Sequence, residues 1–240
     1  MGSPRSWCSS LVLPDRPRTS ESHRPSFSAS KAPGTFPSST WRVQPGSYIA
    51  FSLQVSELAK YHAPDSNAAK ALLTFQGGRY LGLVVGSYVT RSPDDTRWIE
   101  DLSVLFVSDL EPPFPEVAGH YVPIAPYQGV EPPPRKPITT KDMFPLKNRL
   151  QWTTFGTRLQ IETLVESSLG FKMDDDEFNH FEAVVCADMA ALRTLGNCPN
   201  WSDILKLKVP DCDAVPATVW RDIRGGHRDD PTQFVMELWS

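Results

Sequence analysis

The sequence predicts an α+β fold, in which a small antiparallel β-sheet or barrel over about residues 41–130 precedes a helical C-terminal region. Two observations support this prediction. Three short runs rich in β-branched and aromatic residues are bounded by Pro, Gly or Asp, which is typical of strands. In the last hundred residues, apolar side chains recur instead at helical spacing. The predicted strands cover residues 48–55, 79–89 and 101–107.

Turn signals connect these strands and suggest further ones. The Gly pair at 77–78 predicts a hairpin that joins an extended segment at 71–75 to the second run. Residues 91–96 predict the turn that leads to the third run through Trp98. Residues 121–124 predict an edge strand, because Pro123 cannot donate a hydrogen bond to a central ladder.

The clearest predicted helix covers residues 174–196. Acidic residues fill its first turn, and Gly196 is a natural helix stop. Its apolar residues recur at intervals of three and four: Phe178, Phe181, Val185, Met189 and Leu192. We predict a preceding helix over residues 155–170 and shorter helices at 202–208, at 218–223 and after Pro231.

Composition divides the chain into four regions. Residues 1–40 are rich in Ser, Pro and Arg, and we expect them to be disordered because they offer little apolar surface to bury. An organelle transit peptide is the alternative for this tail. Residues 131–145 form a proline-rich strap, which we interpret as a stiff spacer, with a docking motif as the alternative. Residues 146–240 form the helical region, and whether it shares one core with the β-rich module is left open.

Charge and cysteine content limit the classes of function. The net charge is −4 and the acidic excess lies in the body of the chain, so the sequence does not favour nucleic acid as a partner. The four cysteines form no CxxC pair, and we expect reduced thiols in an intracellular compartment, the cytoplasm or the nucleus. No apolar run approaches the length of a membrane span, so we expect no membrane partner.

The densest cluster of reactive side chains opens the 174–196 helix. Glu177 and His180 have the spacing of half a carboxylate-bridged di-iron site, but no second Glu-x-x-His follows. His180 and Glu182 match the H-x-E of zinc-dependent deaminases, but the P-C-x-x-C that supplies the other ligands is missing. We therefore interpret these acidic residues as stabilising the N-terminus of the helix, where the helix dipole is positive. We predict no metal and no cofactor.

The strand-forming region also carries aromatic residues beside basic ones, with glycines spaced by four residues on the second run. Such pairs can form a face that binds a partner through stacking and cation–π contacts. The candidate ligand-binding residues are Arg79, Tyr80, Tyr88, Arg97 and Trp98.

The sequence thus favours a non-enzymatic intracellular binding protein with a protein partner, and it identifies no catalytic residue. A hydrolase or transferase is the first alternative, with a site between the two regions built from His120, His180, His227, Cys198 or Cys212 and nearby acids. A nucleic-acid or chromatin reader is the second alternative. The loop at 224–230 gathers Arg, His and Asp beside a Gly pair, and we interpret it as a solvated connection.

Overall fold

The computed structural model describes residues 42–59, 64–65, 70, 78–91, 98–129, 133–161, 170–196, 214–226, 228–232 and 235. The predicted disordered tail and the predicted strand at 71–75 lie outside these residues. In chain order the named elements are β1 (Tyr48–Leu53), α1 (Val55–Ala59), β2 (Arg79–Arg91), β3 (Trp98–Ser108), a 3-10 turn (Pro115–Val117), β4 (Tyr121–Ile124), β5 (Arg149–Ile161), α2 (Asp175–Gly196) and β6 (Val215–Trp220).

The six strands form one sheet in the order β3-β2-β1-β6-β5-β4. Neighbouring strands are antiparallel except for β5 and β6, which are parallel. β3 also pairs with β5, so five strands form a closed ring of hydrogen-bonded pairs, and β4 extends the sheet beyond β5. The α+β class, the antiparallel sheet and the strand at Tyr121–Ile124 are confirmed.

One face of the sheet carries an aromatic core. Its rings come from β1, β2, β3 and β5, and successive ring centroids lie 5.8 to 6.2 Å apart. Tilted and edge-to-face pairs at this separation add to the stabilisation that burial provides. The rings belong to Phe51, Tyr80, Phe106, Trp152 and Phe155.

The opposite face of the sheet is also buried. Residues such as Tyr48 and Leu83 point to this side, where Phe144 from an irregular segment and Phe181 from α2 cover them. Because both faces are covered, β1 and the central parts of β2 and β3 are apolar at most positions. This is why they appear in the sequence as continuous apolar runs rather than as an alternation.

Two predicted helices are strands, and these predictions were wrong. Residues 155–161 belong to β5, and residues 218–220 belong to β6. Phe155 and Leu159 are four positions apart, and this interval places side chains on one face of a strand as well as on one face of a helix. In the structure both residues pack into the aromatic core from β5. The rest of the predicted 155–170 helix, the predicted helix at 202–208 and most of the one after Pro231 lie outside the described residues.

The predicted long helix is confirmed as α2. Its buried side includes Phe181, Val185 and Leu192, whereas Cys186 is exposed. Cys186 follows the buried Val185 by one position, and this step turns its side chain away from the buried side of the helix. The other three cysteines lie outside the described residues. Among the described helices, none is long and apolar enough to cross a membrane.

The proline-rich strap packs against the sheet over its described part. Ile138 forms a parallel bridge with Ile124, and Thr140 bridges to Met173. Ile138 and Phe144, which lies further along the same segment, are almost fully buried. The segment was predicted to be a stiff spacer, but its apolar side chains contribute to the core.

Candidate functional site

The four predicted ligand-binding residues that the structure describes do not come together. Arg97 lies outside the described residues, and Tyr80 is only 4% exposed because its ring belongs to the aromatic core. Arg79 and Tyr88 both lie on β2, but nine positions along a strand correspond to roughly 30 Å. Tyr80 therefore serves the core, and the remaining residues are far apart.

Tyr88 and Trp98 lie on opposite faces of the β2–β3 hairpin. Tyr88 is the register partner of Asp101, and Trp98 is the partner of Arg91. Directly paired residues share a face, and positions three apart on one strand, such as 98 and 101, do not. The described residues thus offer no common aromatic platform, and Arg79 is the predicted residue that adjoins a pocket.

This pocket lies where β2 begins, β3 ends and β5 begins, and we call it the arginine pocket. Its volume is about 130 Å³, which gives room for several water molecules at roughly 30 Å³ each. Two apolar residues, Leu81 and Val107, line part of the pocket. The other lining residues are charged or carry a hydroxyl group: Ser108, Asp109, Arg149, Arg228, Asp229 and Asp230.

Strand pairing positions the residues at the floor of the pocket. Leu81 pairs with Val107 across β2 and β3. Ser108 pairs with Leu150 across β3 and β5. This register brings the neighbouring Arg149 to Asp109, whose Oδ2 lies 3.3 Å from Nη1.

The loop that follows β6 forms the other wall. The backbone N–H of Arg79 donates to Asp229 Oδ2 at 2.8 Å, and the N–H of Asp229 donates to the Arg79 carbonyl at 2.9 Å. Ser108 Oγ donates to Asp230 Oδ1 at 3.1 Å. Two consecutive aspartates therefore fasten the loop to the start of β2 and the end of β3.

Two further contacts hold the arginines in place. The Arg228 guanidinium donates to the Gly226 carbonyl at 2.6 Å and to the Ile223 carbonyl. The Arg79 guanidinium carbon lies 4.5 Å from the centroid of the Trp220 ring, a cation–π contact. Gly226 has a φ of +79°, and an added Cβ there would lie 2.4 Å from Arg79 Nη1. The positive φ favours glycine at this turn.

The pKa of Arg228 shows that other arginines lie close to it at the pocket. Burial lowers the pKa of Arg228, and the positive charges of Arg79 and Arg149 lower it further, against an opposing effect of Asp222. The guanidinium groups of Arg79 and Arg149 are thus close enough to Arg228 to repel its positive charge. The Nε atoms of Arg79 and Arg149 are buried and have no hydrogen-bond partner among the described residues.

The residues of the enzyme alternative are dispersed or lie outside the described part of the chain. His120 is partly buried beside β4, and His180 is exposed on α2. His227, Cys198 and Cys212 are not among the described residues. Within the described ranges, no group of three His, Cys, Asp or Glu residues has a geometry that could hold a metal ion.

No family model, curated protein or solved structure matches this chain. The arrangement of its own residues is therefore the basis for assigning a function.

Sequence reasoning identified only part of the pocket. Arg79 was among the candidate residues, and the 224–230 loop was considered but interpreted as a solvated connection. Ser108 and Arg149 were missed because strand pairing, rather than sequence proximity, brings them together.

Proposed function

We propose that this protein is a non-enzymatic binding protein whose arginine pocket receives an acidic group of a partner. The observation that carries the proposal is that Arg149 and Arg228 line one pocket and that Arg79 lies close to Arg228 beside it. Guanidinium groups bind carboxylates and phosphates through charge-assisted hydrogen bonds, which are stronger than hydrogen bonds between neutral groups.

The aspartates of the pocket leave donors available for such a group. Asp109 pairs with Arg149, Asp229 accepts from the β2 backbone, and Asp230 accepts from Ser108 and Thr232. The Nε of Arg149 is buried with no described acceptor. Arg149 also lines the pocket, so an incoming oxyanion would reach its guanidinium group from there.

The size of the pocket sets the size of the bound group. A volume of about 130 Å³ accommodates a carboxylate or phosphate group with a few attached atoms, and the remainder of the partner would lie outside. This fits a protein partner that inserts one acidic group. The cytoplasm or nucleus remains the expected location, based on the cysteine pattern.

A titration of the full chain with sodium acetate, at constant ionic strength, tests the proposal. Backbone amide resonances of Asp109, Arg149, Asp229 and Asp230 are followed by NMR. We expect saturable shifts at these residues. We expect Arg149→Met to weaken the binding by about tenfold, because it removes a charge-assisted interaction of roughly 1.5–3 kcal/mol.

Arg158→Met is the matched control. Arg158 lies on the same strand and is ion-paired with Asp101, and its side chain is 23% exposed, compared with 24% for Arg149. Acetate binding should be unchanged in this variant. Shifts that do not saturate, or an equal loss in both variants, would contradict the proposal.

A further inference from the structure

The arginine pocket contains carboxylates as well as guanidinium groups, and this combination defines its ligand more closely. Three of its lining residues are aspartates and two are arginines, and Arg79 stands beside them. A site for a simple anion would not need acids in its wall, since they repel the ligand. The wall therefore has partners for a positive or hydrogen-donating group as well as for a negative one.

Two of these acids retain acceptor capacity. A carboxylate offers about four lone-pair positions. Among the described residues, the ion pair of Asp109 uses Oδ2. All three hydrogen bonds to Asp230, from Ser108 Oγ and from Thr232, go to Oδ1. Among the described residues, Asp109 Oδ1 and Asp230 Oδ2 thus remain as acceptors beside the pocket.

We infer that the ligand is a carboxylate with a hydrogen-donating nitrogen on its α-carbon. This inference rests on the function proposed above. Its carboxylate binds the guanidinium groups of Arg149 and Arg228, and its nitrogen donates to Asp109. Two sources share this chemistry: a free amino acid, with an ammonium group, and the C-terminal residue of a peptide, with an amide N–H. The volume of about 130 Å³ suits a group of this size, glycine or a single chain terminus.

The test compares four probes on the full chain by NMR titration at constant ionic strength: acetate, glycine, N-acetylglycine and methylammonium. We expect glycine or N-acetylglycine to bind about tenfold more tightly than acetate, because each adds a hydrogen bond to a charged acceptor. Methylammonium lacks the carboxylate and should bind most weakly. Preference for glycine alone identifies a free amino acid, and tight binding of N-acetylglycine identifies a peptide terminus.

Asp109→Asn tests the part of the site that binds the nitrogen separately from the part that binds the carboxylate. In this variant the affinity for glycine or N-acetylglycine should fall to the affinity that the same variant has for acetate. Asp175→Asn, at an acid that is 89% exposed on α2, is the matched control and should have no effect.

The possible outcomes are distinguishable. If acetate, glycine and N-acetylglycine bind equally well, the inference about the α-nitrogen is overturned and the proposed anion-binding function stands. If none of the three binds in the pocket, the proposed function itself is overturned.

Discussion

The Arg135 guanidinium makes two parallel hydrogen bonds to the Asp188 carboxylate, at 2.6 and 2.7 Å. The pair joins the proline-rich strap to α2. Thr153 Oγ1 on β5 also donates to Asp188, so one buried carboxylate connects the strap, the helix and the sheet. The side chain of Asp188 is 8% exposed and that of Arg135 is 29% exposed.

We predict that Arg135→Met destabilises the fold strongly. The substitution keeps most of the side-chain volume but leaves the Asp188 carboxylate buried with its charge uncompensated. Removing one partner of a buried ion pair costs about 3 kcal/mol, and urea-induced unfolding measures this change in free energy.

Lys136→Met is the adjacent control. Lys136 pairs with Glu177 on the same helix, but its side chain is 72% exposed. An exposed pair contributes about 0–1 kcal/mol. Equal losses of stability in the two variants would show that burial does not distinguish the pairs.

The β3–β5 pairing depends on a glycine. At Gly156 an added Cβ would lie 2.0 Å from the Val104 carbonyl oxygen, a backbone atom that cannot move without disturbing β3. We predict that Gly156→Ala costs about 2 kcal/mol or more, as overpacking in a core does.

Gly119→Ala is the control for this prediction. A Cβ at Gly119 would have no atom within 4 Å. The stability of the Gly119→Ala protein should therefore differ little from that of the parent. Thermal unfolding of both variants measures the difference, and a Gly156→Ala protein with the parent's midpoint would contradict the described strand pairing.

His120 gives the fold a dependence on pH. Burial lowers the pKa of His120, Asp188 opposes this effect and Arg135 adds to it. The unfolded chain therefore binds the proton more readily than the folded one. The contribution of neutral His120 to the free energy of unfolding is fully present above the ordinary histidine pKa of about 6.5. This contribution is lost as the pH falls below that value.

We predict that His120→Gln reduces the loss of stability between about pH 7.5 and pH 5.5. Urea unfolding at several pH values in this range measures the effect. His180→Gln, at the exposed histidine on α2, is the matched control. If both variants follow the pH profile of the parent protein, His120 is not the residue responsible.

The sequence predicted those elements whose pattern is unambiguous. β1, β2 and β3 were recognisable because apolar residues on both faces give continuous runs bounded by turns. α2 was recognisable because its apolar residues recur at helical spacing from Phe178 to Leu192, over about four turns. β5 was missed because the interval between Phe155 and Leu159 suits both a helix and a strand. Only the pairing with β3, almost fifty residues earlier in the chain, decides between them.

The candidate site was less predictable for the same physical reason. Asp109, Arg149 and Asp230 are widely separated in sequence, and they meet through the β3–β5 register and the loop after β6. A local pattern of aromatic and basic residues carried no information about these contacts. It also placed Tyr80 on a surface, although alternation along β2 directs the ring into the core.

The Nε–Hε resonance of Arg149 gives the most direct test of the anion-binding pocket. This atom is buried and has no hydrogen-bond acceptor among the described residues. During a titration of the full chain with acetate, an oxyanion in the pocket should shift this resonance to saturation, with the same dissociation constant as the pocket amides and no comparable shift at Arg158. An Arg149 Nε–Hε resonance that does not move while acetate reaches high concentration would contradict the account.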